Sequence, residues 1–164
     1  MKTVSKNRKT VFVLLATSLI TTSVLLTACD KDDDDNNNNN TMYTISGNAS
    51  GSQEVPTNTT TGTATLTGTY DAGTNSLSYT INWTGLTGVA TVAHFHGPAS
   101  TTETANPMVD ITIVTNGVDG NASGTVTVSD AFETALLSGK IYYNVHTALN
   151  PNGEIRSQVT TSPQ

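Results

Sequence analysis

The chain has 164 residues, of which only 12% are charged, with seven Lys and Arg against thirteen Asp and Glu. Lys2, Lys6, Arg8 and Lys9 crowd the start, so the remainder keeps Lys31, Lys140 and Arg156 against all thirteen acids, a net charge of −10. That balance excludes nucleic-acid binding, because nothing is left to neutralise a phosphate backbone, and it excludes docking of a folded domain directly on anionic lipid.

Behind the basic residues runs an apolar stretch from Val11 to about Leu26, interrupted by Thr and Ser. It is too short and too polar for a membrane span and reads as a cleaved export signal over residues 1–28. It ends in Leu26-Thr27-Ala28-Cys29. This resembles the bacterial lipobox, in which small residues precede a cysteine that is lipidated and becomes the mature N-terminus. Cys29 is the one cysteine in the chain, so a lipid on it leaves no thiol for a disulfide, and the exported domain must stand without staples. Asp30-Lys31-Asp32-Asp33-Asp34-Asp35 and Asn36 to Asn40 follow, with no apolar residue among them. Residues 29–41 are therefore expected to be a disordered tether that reaches about 40 Å when fully extended. An acidic run directly after such a cysteine resembles the signal that takes some bacterial lipoproteins to the outer-membrane surface. The resemblance implies a palmitate-bearing lipoprotein held to the membrane through Cys29 and displayed outside the cell.

Residues 42–164 read as one domain. Roughly 120 residues suffice to bury a core without metal or disulfides. Alternating apolar and polar residues predict strands at Tyr43–Ala49, Gly62–Tyr70, Ser76–Thr84, Val92–His96, Met108–Thr115, Thr125–Ser129, Ile141–Thr147 and Glu154–Val159. In the third, Leu77, Tyr79, Ile81 and Trp83 oppose Ser78, Thr80, Asn82 and Thr84. Asp71-Ala72-Gly73-Thr74-Asn75 is hairpin-loop chemistry. One helical turn interrupts the strands: Asp130 is placed to cap it, with Glu133 three residues on. Phe132, Leu136 and Leu137 supply its apolar side and Gly139 ends it. The expected fold is all-β, a β-sandwich of about eight mostly antiparallel strands with Greek-key, immunoglobulin-like character and one short helix.

Two motifs hold every histidine. One is Ala93-His94-Phe95-His96-Gly97-Pro98; the other is Asn144-Val145-His146-Thr147, followed by Asn150-Pro151-Asn152-Gly153-Glu154-Ile155-Arg156. Two residues apart on a strand, His94 and His96 share a face, and Ala93 and Phe95 take the core side. The turn residues from Ala148 to Asn152 predict a hairpin between the last two strands. With Thr147 opposite Gly153, His146 faces Glu154, Asn144 faces Arg156 and Tyr142 faces Gln158, all on a polar face. Ile141, Tyr143, Val145, Ile155 and Val159 form the core face. If the two histidine-bearing strands are neighbours, His94, His96, His146 and Glu154 form one candidate ligand cluster, supported by Asn144 and Arg156. Strand adjacency itself does not follow from the sequence. Glu154 beside Arg156 is expected to have a depressed pKa, which suits a general acid poorly at neutral pH.

At these residues the chain resembles the CHRD family, the domain named after its repeats in chordin. The resemblance runs from Ser46-Gly47 and Gln53-Glu54-Val55-Pro56 through Gly62-Thr63-Ala64, Leu77-Ser78-Tyr79 and Trp83-Thr84-Gly85-Leu86 to the two histidine motifs. Asn152 replaces a frequent Gly, and Ser157 replaces the Gly that commonly follows the Arg. Chordin is an extracellular antagonist of growth factors, a role that does not transfer to a bacterial surface protein. The family's repeats are not known as catalysts.

Two functions follow as expectations. The first is a non-catalytic extracellular binding or structural module, with no catalytic residues and no enzyme activity. Its ligand class is left open among protein, carbohydrate and metal. The alternative is a metal-binding protein that uses His94, His96 and His146 for copper or zinc, which favour imidazole. Glu154 would serve as a fourth or outer ligand. No cofactor is otherwise implied. Three histidines are fewer than copper-zinc superoxide dismutase uses, so dismutase activity is not expected.

Overall fold

The computed structural model describes residues 41–164. The expected signal, the lipidated Cys29 and the tether up to Asn40 lie outside the described residues. Among those described, no helix is long and apolar enough to cross a membrane.

The alternation read from the sequence produces an all-β domain. Its strands are β1 (Met42–Ser50), β2 (Thr63–Asp71), β3 (Ser76–Thr84), β4 (Ala90–His96), β5 (Pro107–Asp110), β6 (Ile113–Thr115), β7 (Gly120–Thr127), β8 (Tyr142–Thr147), β9 (Ile155–Gln158) and β10 (Thr160–Pro163), with a 3-10 turn at Gly51–Gln53 and, among the described residues, one α-helix, α1 (Asp130–Leu137), between β7 and β8. All pairings are antiparallel, in the order β5-β4-β8-β9-β1-β2-β3-β7-β6, with β10 also on β1. The layers of the expected sandwich are thus parts of one curled sheet.

The strand count rises from eight to ten for two reasons. The run expected as one strand over Met108–Thr115 changes partners midway. Asp110 sits opposite His94 and the Ile111 N–H donates to the Ala93 carbonyl, on one end of the sheet. Two residues later Ile113 sits opposite Ala122 on the other end, and the Ser123 N–H donates to the Thr112 carbonyl. This one segment closes the curl and covers both outer edges, which would otherwise offer unpaired backbone to other chains. The second addition is β10, whose polar sequence gave no alternation to read; it continues β9 along β1.

Two local expectations are corrected. The strand placed at Thr125–Ser129 begins earlier, at Gly120, and ends at Thr127. Asp130 does not cap α1. Ser129 does, its hydroxyl accepting from the Phe132 N–H at 3.3 Å, while Asp130 and Glu133 occupy the first turn, where their charge favours the positive end of the helix.

The core follows the predicted parity. Leu77, Tyr79, Ile81 and Trp83 are buried, as are Ala93 and Phe95 between the histidines and Tyr143, Val145 and Ile155 on the last hairpin. Phe95 stands at its centre, with its ring edge-on to Tyr79 at 5.4 Å, to Phe132 at 6.1 Å and to Tyr143 at 6.4 Å. Such aromatic contacts add to the area each ring buries. Phe95 therefore anchors β4 while its two neighbours project off the core.

Truncation of this ring tests the arrangement. Phe95→Ala is expected to lower stability by about 3–5 kcal/mol, read from urea unfolding. A loss under about 1 kcal/mol would contradict the central position of Phe95.

A three-histidine cluster between two strands

The pairing of β4 with β8 supplies the adjacency that the sequence left open. Val92 lies opposite His146, His94 opposite Asn144, and His96 opposite Tyr142. On the other side of β8, Asn144 lies opposite Arg156 and Tyr142 opposite Gln158, the register expected from the hairpin. His94, His96, Asn144, His146, Tyr142 and Arg156 consequently share one face. They lie off the hydrophobic core, yet His96 and His146 are only 6% and 7% exposed. His94 is the most open of the three.

The three rings converge. Their centroids are 5.1 Å apart for His94 and His146, 5.4 Å for His94 and His96, and 6.1 Å for His96 and His146. One nitrogen from each lies within 4.8 Å of the others. His94 Nδ1 and His146 Nε2 are 3.3 Å apart, about the spacing of two nitrogens on one tetrahedral metal at ~2.0–2.1 Å bonds.

The opposite nitrogens are already committed. His96 Nδ1 lies 2.9 Å from the Ala105 carbonyl, and His146 Nδ1 lies 2.9 Å from the Pro151 carbonyl. A carbonyl only accepts, so both Nδ1 atoms carry the proton; His146 Nε2 then faces His94, while His96 Nε2 is engaged with the Asn144 amide at 3.0 Å, a bond that a cation at this nitrogen would replace. His94 Nε2 lies 3.6 Å from Asp110, which leaves its Nδ1 facing the other rings. Backbone carbonyls and a carboxylate on the outer nitrogen fix ring orientation and tautomer in metal centres.

Burial lowers the pKa of His96. His94 and Arg156 push the same way, against the hydrogen bonds to Ala105 and Asn144. Burial also lowers that of His146; the Pro151 carbonyl opposes this, and His94 and His96 add to it. Both rings are therefore neutral at pH 7, the form that ligates.

Glu154 does not join the cluster, which corrects the expected four-residue ligand set. Its carboxylate accepts from the Thr60 hydroxyl at 2.7 Å, the Thr87 N–H at 2.6 Å and hydroxyl at 2.8 Å, the Thr147 hydroxyl at 2.6 Å and the Asn150 amide at 3.1 Å. Burial acts to raise its pKa, but these donors outweigh burial and hold it below the ordinary value. The low pKa was expected; its cause is a knot of hydroxyls rather than Arg156. Thr147, one step past His146, follows the alternation to the opposite face and takes Glu154 with it.

Arg156 faces a different carboxylate. Its guanidinium stacks 3.6 Å from the centre of the Tyr142 ring and donates to the Glu103 and Ser100 carbonyls at 2.8 and 2.9 Å. The His96 ring lies parallel to the same Tyr142 ring at 4.8 Å, so Tyr142 is stacked on by both. The loop from Gly97 to Asn106 is thereby pinned over the site, and it supplies the Ala105 carbonyl to His96. The carboxylate near Arg156 is Glu54, from the turn after β1. Sequence reasoning assigned it no role. Its available signals were its rarity, an acid in a charge-poor domain, and its place in Gln53-Glu54-Val55-Pro56, one of the segments that carry the family resemblance.

Glu54 is 6% exposed, and its Oε1 closes no hydrogen bond. Burial raises its pKa from 4.5 to about 7, against Arg156, the Val55 N–H and the Asn144 amide, which favour its charged form. Gly153, at φ 122°, borders it; a Cβ there would strike Glu54 Oε1 and Asn144 Nδ2 together. Only glycine allows this turn to close over them.

Residues 45–159 match the family model described as CHRD domain. No curated protein and no solved structure matches the chain.

The raised pKa of Glu54 has a definite consequence for pH dependence. Between pH 4.5 and about 7 the folded chain holds a proton that the unfolded chain has released. The stability contributed by Glu54 is thus full below 4.5 and is lost as pH rises through 7. His96 and His146 act oppositely, costing stability as pH falls below their ordinary 6.5. Glu54→Gln removes the first effect alone. Relative to wild type, the variant should gain on the order of 2 kcal/mol between about pH 5 and about pH 8 in urea unfolding. A difference that stays flat with pH would contradict the assignment.

Proposed function

The chain belongs to the CHRD domain family, and from that membership we propose that it is an exported, non-catalytic module that binds copper or zinc through His94, His96 and His146. The observation that carries this reading is the commitment of all three outer nitrogens. Two donate to carbonyls and one faces a carboxylate, while one nitrogen from each ring lies within 4.8 Å of the others. Rings held this way are oriented before any ion arrives, which lowers the cost of assembling the site. Neutral imidazoles suit copper and zinc over the harder cations that take oxygen ligands. Rings fixed from behind suit holding an ion better than relaying protons.

Export and anchoring belong to the same reading. The basic start, the apolar stretch and Leu26-Thr27-Ala28-Cys29 support lipidation at Cys29. The acidic and Asn-rich segment behind it supports a tethered domain outside the cell, at the outer-membrane surface. Labelled palmitate fed to the producing cells should enter the chain and fail to enter a Cys29→Ala variant. Label retained by that variant would contradict the anchor.

For metal, zinc and copper are titrated into the full chain in detergent by calorimetry. One tight equivalent is expected, lost in His94→Ala with His96→Ala. The acidic run binds weakly in both and serves as the internal baseline. No tight phase in wild type would end the metal reading. It would leave the histidines as a hydrogen-bonded scaffold, whose loss lowers thermal stability in chelator.

A further inference from the structure

Arg156 carries a charge that the protein leaves open. Of the two cations in residues 42–164, Lys140 lies at the surface and Arg156 is 1% exposed. The Tyr142 ring covers one side of its guanidinium, and the Glu103 and Ser100 carbonyls accept from Nη1 and Nη2. A guanidinium has five N–H donors, so these two bonds leave three. Among the described residues the one ion pair joins His94 and Asp110, so no carboxylate closes on Arg156. Glu54 lies near it but holds its proton up to about pH 7, and supplies no fixed counter-charge. A buried charge without a paired one is costly.

A cavity of about 190 Å³ lies against this cation, lined by Ser52, Gln53, Thr101, Arg156 and Gln158. None of the three histidines lines it. Ser52, Gln53 and Thr101 are exposed and form its mouth, while the buried Arg156 forms its floor. The space is several times the ~30 Å³ that one water takes in the liquid, enough for the end of a small molecule. Gln158 adds a second unmet group. Its Nε2 donates to the Ala99 and Gly139 carbonyls at 2.9 Å each, which fixes the orientation of the amide. Its Oε1 is therefore an acceptor, and it is buried without a hydrogen bond. Such an oxygen is destabilising until a donor reaches it.

One occupant has to answer both groups, with anionic oxygens for the guanidinium and a donor for Gln158 Oε1. A bare oxyanion such as phosphate meets the first and repels the second. A neutral amide meets the second and leaves the cation unpaired. An amino acid brings its own cation toward Arg156. A carboxylate with a hydroxyl on the neighbouring carbon satisfies both, since guanidinium pairs well with carboxylate and the hydroxyl donates to Oε1. We infer that the cavity over Arg156 is a binding site for small 2-hydroxycarboxylates, either a free hydroxy acid or the acid end of an oxidised sugar. The site shares no residue with the histidine cluster and does not depend on the metal reading.

The test is titration of the metal-free full chain in detergent with glycolate, gluconate, acetate and glycolamide, followed by nitrogen-15 NMR of the Arg156 Nε–H and the Gln158 side-chain amide. Removing metal matters because hydroxy acids also chelate. Glycolate should shift both signals with a Kd on the order of 1 mM. Acetate lacks the hydroxyl and should bind about tenfold more weakly, leaving Oε1 unmet. Glycolamide lacks the charge and should lose about as much. Glycolate seating alone would mark a free hydroxy acid, and gluconate seating equally well would mark an oxidised sugar; either bears the inference out. Ser52→Trp and Thr101→Trp fill the mouth from exposed positions, so they should abolish the shifts while keeping the melting temperature of wild type. His94→Ala with His96→Ala should bind glycolate as wild type does. No shift with glycolate in large excess would overturn the inference. So would acetate binding as tightly as glycolate, mouth variants that bind normally, or loss of binding with the histidines.

Discussion

Everything at this site depends on the register between β4 and β8. His96 opposite Tyr142 and His94 opposite Asn144 set three rings, an amide and an aromatic platform on one face. A slip of one residue would send His94 and His96 into the core and expose Phe95. Phe95 prevents that slip, being held edge-on by three other aromatic rings. The hydrophobic core therefore fixes the polar cluster, although the two share no residue.

The loops that cover this face do so with backbone carbonyls. Ala105 and Pro151 come from different connections, and each accepts from a histidine. Those connections are tied down by buried charge. Arg156 holds the Ser100 and Glu103 carbonyls of one, while Glu154 gathers Thr147 and Asn150 at the start of the other together with Thr60 and Thr87. Glu54 and Glu154 are both buried acids and differ in their donors. Five hydrogen bonds hold Glu154 charged, whereas Glu54 has an open oxygen and a pKa near neutrality. A buried carboxylate is costly to charge, and Glu54 answers that cost by holding its proton toward neutral pH, with Arg156 nearby pulling the other way.

The sequence disclosed those parts governed by a period of two. The parity of His94 and His96, the core side of Ala93 and Phe95, and the facing of Asn144 with Arg156 all follow from alternation and one hairpin turn. The β4–β8 adjacency does not, because β4 and β8 are joined by a long connection through β5, β6, β7 and α1. Glu154 escaped for a local reason. Its N–H donates to the Val145 carbonyl at the hairpin mouth, and its carboxylate follows Thr147 rather than His146. Glu54 escaped because it sits in a turn, where no periodicity assigns a face. The split of the run expected as one strand over Met108–Thr115 between two sheet ends was hidden likewise, since nothing in the sequence names a strand's partner.

The central claim is that three histidines, oriented from behind, form a centre for one metal ion. X-ray absorption at the zinc edge of the zinc-loaded chain tests it most directly. The account predicts three imidazole nitrogens at about 2.0–2.1 Å with the multiple scattering of intact rings. A first shell of oxygen alone, with no imidazole signature, would contradict it.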